Sequence, residues 1–139
     1  MKFNLKKIIY SMVFNLYQVL WYLFLPIAIL YFFYRSIKEP GYASDLSERL
    51  SFYKKDLKEA CWCHAVSLGE VRAARPIFNK LLLNGEKLLI TTLTLSGKNA
   101  AQLEYHEEIE LGKVLVVYAP LEITFFFERF LKCFKPKCC

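Results

Sequence analysis

Residues 8 to 34 form one uncharged, apolar run, and beyond Gly41 short apolar stretches alternate with longer amphipathic ones. The run exceeds the roughly 20 residues a helix needs to cross the hydrocarbon core. Further on, β-like runs at 60–66, 87–93 and 113–118 recur at intervals of about 26 residues. Each precedes a stretch with helical spacing of apolar positions: Glu70 to Leu83, closed by Asn84-Gly85, then Ser96 to about Tyr105, then Glu122 to Phe134. Runs apolar on both faces suit a parallel sheet covered by helices, so the predicted class is α/β with the order βαβαβα. Crossovers of that kind gather strand ends and helix N-termini along one edge, where ligands bind.

Pro40-Gly41 marks a boundary, and Ser44 to Lys58 reads as a connecting helix or arm lying on the domain. Pro76 inside the first helical pattern predicts either a kink or a loose first turn. Phe134 to Cys139 reads as the entry to a fourth strand. A three-stranded sheet leaves an exposed edge, so the chain is expected to be part of something longer, incomplete at its C-terminus.

The apolar run admits two geometries. Tyr10, Tyr17, Trp21, Tyr22, Tyr31 and Tyr34 are scattered through it and Pro26 interrupts it, so a spanning helix and a bent interfacial anchor both fit. Lys2, Lys6 and Lys7 precede it while Arg35 and Lys38 follow, so the positive-inside rule assigns no orientation. The apolar region is too long for a cleaved secretory signal.

Charge narrows the partners. The formal net charge is +6, and residues 1–40 hold five Lys or Arg against one Glu, whereas the remainder is nearly balanced. A basic surplus beside a hydrophobic segment favours anionic lipid head groups and argues against nucleic acid. The five cysteines are odd in number and lack zinc spacing; they read as small buried side chains in a reducing cytoplasm, unpaired, with no metal and no cofactor expected.

The chemistry concentrates between Trp62 and Glu70. There an apolar run breaks at Ser67-Leu68-Gly69 and opens into a helix with Glu70 in its first turn. Small residues at such a turn let a substrate approach the backbone, and the helix N-terminus favours an ionised carboxylate. Taken alone, Glu70 reads either as a capping residue or as a base. Ser67 lacks the upstream glycine of a nucleophile elbow, and Ser96-Gly97-Lys98 lacks that of a phosphate loop. His64 reads as a hydrogen-bonded core residue, His106 as solvated surface, Thr91, Thr92 and Thr94 as strand formers. Arg72 and Arg75 read as solvated or as facing acidic head groups. Phe125, Phe126 and Phe127 read as a helix packed on the sheet.

Five segments occur in a familiar order: Ser47-Glu48-Arg49-Leu50-Ser51-Phe52-Tyr53, His64-Ala65-Val66-Ser67-Leu68-Gly69-Glu70, Thr91-Thr92-Leu93-Thr94-Leu95-Ser96-Gly97, Pro120-Leu121-Glu122 and Lys135-Pro136-Lys137. The chain thereby resembles the N-terminal part of the 3-deoxy-D-manno-octulosonic acid (Kdo) transferases of lipopolysaccharide core synthesis. It departs from the family pattern at Ser51, where glycine is usual, and at Glu122, where aspartate is common. The resemblance implies a two-domain GT-B glycosyltransferase, with residues 1–39 a hydrophobic membrane anchor and 40–139 a Rossmann-like, acceptor-binding domain. It implies Kdo transfer from CMP-Kdo to a lipid A precursor with inversion, Glu70 as general base, and substrate contacts from Ser67, Gly69, Thr94, Ser96 and Gly97. It also implies a location at the inner (cytoplasmic) membrane, facing the cytoplasm, with most of the donor site in a second domain. The isolated chain is therefore expected to be inactive. Competing readings are another nucleotide-sugar transferase and a non-enzymatic, membrane-tethered α/β interaction module.

Overall fold

A computed structural model describes residues 5–38 and 42–138; the Pro40-Gly41 boundary and Cys139 lie outside the described residues. The apolar run becomes one helix, α1 (Leu5–Lys38), which continues through Pro26. The arm begins as α2 (Tyr42–Arg49). Three strands follow, β1 (Cys61–His64), β2 (Leu88–Thr92) and β3 (Val114–Tyr118), paired in parallel in the order β1-β2-β3. They alternate with α3 (Leu68–Leu83), α4 (Leu95–Glu104), α5 (His106–Glu110) and α6 (Thr124–Phe134).

The pleat sorts the core into two layers. Leu88 and Ile90 of β2 face Val71 and Phe78 of α3 and Ala101 of α4, whereas Leu89 between them faces Phe130 and Phe134 of α6. Tyr53, from the arm, closes the second layer edge-on against Phe134, at 4.7 Å between centroids. Burial pushes its phenol pKa up, and the neutral hydroxyl donates to the Tyr118 carbonyl at 3.1 Å. Of the three consecutive phenylalanines, Phe127 meets Trp62 at 5.8 Å while Phe125 is exposed; the packing on the sheet falls to Phe130 and Phe134.

Two local features differ from the sequence pattern. The helical stretch after β2 breaks at Tyr105, whose ring is buried edge-on to Phe78 and whose hydroxyl donates to Asn79, so α5 restarts in a new direction. The cysteines are not all unpaired: Cys61 and Cys138 are joined in a disulfide, with Cα atoms 4.8 Å apart. Linear spacing gave no sign of this because the pairing depends on the chain returning to β1. Lys137 N–H donates to Ala60 O at 2.9 Å and Trp62 N–H to Cys138 O at 2.7 Å, so a fourth strand begins on the side of β1 opposite β2.

Helix ends are closed by matching bond pairs. Gly85, with φ of 79°, ends α3 through Gly85 N–H to Leu82 O and Glu86 N–H to Leu81 O. The same arrangement ends α2, but the left-handed position is Ser51, with φ of 61°. Serine offsets the steric cost by donating to Phe126 O at 2.7 Å. Ser51→Gly and Ser51→Ala both lose that bond, but only glycine removes the backbone cost. The glycine variant is expected to be the more stable of the two by about 1 kcal/mol in urea denaturation; equal midpoints would refute the left-handed assignment.

Candidate functional site

β1 delivers the turn at Val66 to the C-terminal edge of the sheet. Ser67 adopts extended backbone, φ −133° and ψ 170°, and its hydroxyl makes no capping bond to α3. Glu70 instead reaches back over the turn, where its Oε2 accepts the Val66 N–H, just ahead of α3, at 2.7 Å. Glu70 and Gly69 are exposed, so the carboxylate stands at the surface, held by one oxygen. The second oxygen has no hydrogen bond among the described residues. Glu70 thus braces the turn ahead of its helix with one oxygen and leaves the other as an acceptor.

β2 delivers the neighbouring turn. Thr94 caps α4 by accepting the Gly97 N–H at 3.2 Å and donates to Val66 O at 3.4 Å, while Leu93 N–H reaches the same carbonyl at 3.1 Å. Ser96 is exposed, with its hydroxyl 3.5 Å from that of Thr94. Gly97 is buried, and a Cβ there would lie 3.0 Å from Thr94 Oγ1 and 3.2 Å from the Ser67 carbonyl carbon. The six residues singled out in sequence therefore lie on two adjoining turns. Thr94 and Gly97 spend their groups joining those turns, whereas Ser67, Gly69, Glu70 and Ser96 remain open to a ligand.

The third turn, after β3, lies at the same edge of the parallel sheet. A cavity of about 390 Å³ lies there, walled by Trp21 of α1, Arg49, Trp62 and His64 of β1, Leu93 and the 119–122 loop. Glu70 is not among its walls. His64 is exposed at this cavity, contrary to its expected core position, because β1 ends there. The Trp62 indole donates to the buried Thr91 hydroxyl at 2.9 Å, and His64 Nδ1 lies 2.9 Å from the same oxygen. An indole can only donate, so the arrangement that satisfies Thr91 gives its proton to Nδ1 and leaves His64 with Nε2–H as a donor.

Arg49 is buried behind the cavity. Its Nη2 donates to Leu93 O at 2.7 Å, and its guanidinium lies 4.2 Å from the Tyr118 ring centroid and 4.9 Å from that of Phe32 in α1. Beside it, Glu48 Oε2 accepts both Lys98 Nζ and Tyr118 N–H at 2.8 Å. Spacing within one element carries no trace of such pairs, so pattern reading missed them. Arg75 pairs with Glu104, tying α3 to α4, whereas Arg72 is exposed.

A parallel α/β unit with a surface carboxylate at a strand-to-helix turn, preceded by a helix long and apolar enough to cross a membrane, defines the class. The chain belongs to the 3-deoxy-D-manno-octulosonic-acid transferase (kdotransferase) family, whose model matches residues 44–139. It is 30% identical over 119 residues to the 3-deoxy-D-manno-octulosonic acid transferase of Haemophilus influenzae, covering 82% of this chain and 27% of that protein. It is 35% identical over 77 residues to the protein of the same name from Bordetella pertussis, covering 55% and 18%. The chain thus spans about a quarter or less of the length of these curated relatives. No solved structure matches it significantly.

The approach of Gly97 to Ser67 yields a test. Gly97→Ala forces a methyl against backbone that cannot swing aside, with an expected destabilisation of about 1–3 kcal/mol. Thermal or urea denaturation measures it, and an unchanged midpoint would show that the two turns are not in contact.

Proposed function

We propose that this chain forms the acceptor-binding part of a two-domain, GT-B type enzyme that transfers Kdo from CMP-Kdo to a lipid A precursor. In this reading residues 1–39 anchor it to the cytoplasmic face of the inner membrane and residues 40–139 form a Rossmann-like domain. The observation that carries the reading is the exposed Glu70 carboxylate, oriented by the Val66 N–H with its second oxygen open.

The acceptor hydroxyl attacks the anomeric carbon of the donor. Its proton passes to the open Glu70 oxygen as the new C–O bond forms, and the bond to CMP breaks with its electron pair leaving on phosphate. One positioned base serves an inverting displacement, with a typical contribution of about 10²- to 10⁴-fold. The hydrogen bond from Val66 holds the carboxylate in place during the transfer. Ser67, Gly69 and Ser96, with the adjoining Thr94 and Gly97, form the surface against which the sugars rest, with free α3 N–H groups favouring an anionic group. The neighbouring cavity, apolar along Trp21 and Trp62 and polar at His64, is assigned to the acceptor. No step calls for a metal or cofactor. The anchor keeps the site at the surface that holds its lipid substrate, raising the local concentration of that substrate.

In the full-length enzyme, Glu70→Gln keeps an oxygen acceptor for the Val66 N–H but removes the base. Turnover is expected to fall at least about a hundredfold with donor affinity nearly unchanged; turnover like that of wild type would end the assignment. Residues 1–139 alone are expected to transfer no Kdo in a radiolabelled-donor assay, and transfer by this polypeptide would overturn the proposed sharing of substrates between two domains.

A further inference from the structure

We infer that α1 does not cross the bilayer but lies along one leaflet, its outward face in lipid and its opposite stripe fastened to the strand-tip loops. This rests on the membrane role proposed above and gives that role a geometry.

The stripe is visible in the pattern of exposure. Gln18, Trp21, Leu25, Ala28, Ile29 and Phe32 are partly covered by the domain and follow one another at helical spacing on one face. Leu16, Val19, Leu23, Ile27 and Leu30, on other faces, are each 60% exposed or more. The fastening is polar as well as apolar. The Gln18 amide donates to Glu122 O at 3.3 Å and accepts the Thr124 N–H at 2.9 Å, and the Tyr17 hydroxyl bonds to the Glu122 carboxylate. Trp21 walls the cavity and Phe32 lies against Arg49.

Length decides against a crossing. From Tyr17 to Phe32 the domain holds about 22 Å of helix axis at 1.5 Å per residue. The parts beyond it, 5–16 and 33–38, measure about 18 and 9 Å, and neither reaches across the roughly 30 Å hydrocarbon core. Tyr17 and Gln18 also fall near the middle of the apolar segment Lys7–Tyr34. A crossing would carry the Glu122 carboxylate and the irregular backbone of 122–124 into hydrocarbon, which strongly disfavours both.

Two sequence features that fit a crossing poorly fit an interfacial helix well. Tyrosines and tryptophan spread along the whole run all lie at head-group depth when the helix lies flat. Basic residues at both ends, Lys2, Lys6 and Lys7 before and Arg35 and Lys38 after, agree with the positive-inside rule only if both ends lie on the same side.

The test uses the full-length protein carrying one epitope tag before Met1 and another at the C-terminus of its folded part, in sealed, oriented inner-membrane vesicles treated with protease. The inference expects both tags to be lost together from one orientation of vesicle and both to be protected in the other. Loss of the two tags from opposite orientations would overturn the inference and leave the membrane role standing. Failure of the protein to sediment with the vesicles would overturn both.

Discussion

One half-buried carboxylate holds the elements around the site in their places. Glu48 leaves α2 and, through a single oxygen, takes the ammonium of Lys98 from α4 and the Tyr118 N–H from the end of β3. The Lys98 and Glu48 side chains are 10% and 22% exposed, so the pair is partly shielded from water. Arg49, the next residue, continues the tie to the β2–α4 turn at Leu93 O and to α1 at Phe32. Two successive side chains thereby connect α1, the arm and the tips of two strands.

Around that tie, the proposed active edge is assembled from backbone more than from side chains. The Val66 peptide serves both turns: its N–H orients Glu70, while its carbonyl accepts Leu93 N–H and the Thr94 hydroxyl. Gly97 allows α4 to approach closely enough for this to occur. A carboxylate held this way keeps its direction without being buried, which suits a group that must meet a mobile hydroxyl. The beginning of a fourth strand beside β1 also matters for placement. The sheet grows from β1 toward β3 and then turns back to the opposite side of β1, and in open α/β sheets ligands gather at such a reversal.

Much of this arrangement was legible in the residues because it depends on local pattern. The all-apolar character of Leu88 to Ile90 required cover on both faces, Asn84-Gly85 closed α3, and Glu70 lay where a strand gave way to a helix. What pattern could not show arises from residues distant in sequence. Tyr105 breaks a helix because Phe78 and Asn79 offer it a place, and Cys61 meets Cys138 because the chain returns. His64 looked like a core residue until the length of β1 placed it at a cavity. The covered stripe on α1 was invisible for the same reason: every residue from Ile8 to Tyr34 is uncharged, so the side that meets the domain differs from the outer side only in shape and hydrogen bonding. Ser51 is intermediate. Its departure from glycine was plain in sequence, but its cost and compensation required the backbone angle and the bond to Phe126.

The tie at Glu48 also imposes an order on biosynthesis. Its partners lie 50 and 70 residues downstream, and a ribosome adding about 5–20 residues per second needs several seconds to reach the second of them. The hydrophobic N-terminus therefore emerges while Glu48 is still without its partners and α2 has nothing to hold. The domain is completed only after its first helix has emerged, and the arm gains its hold on the sheet only once β3 has been made.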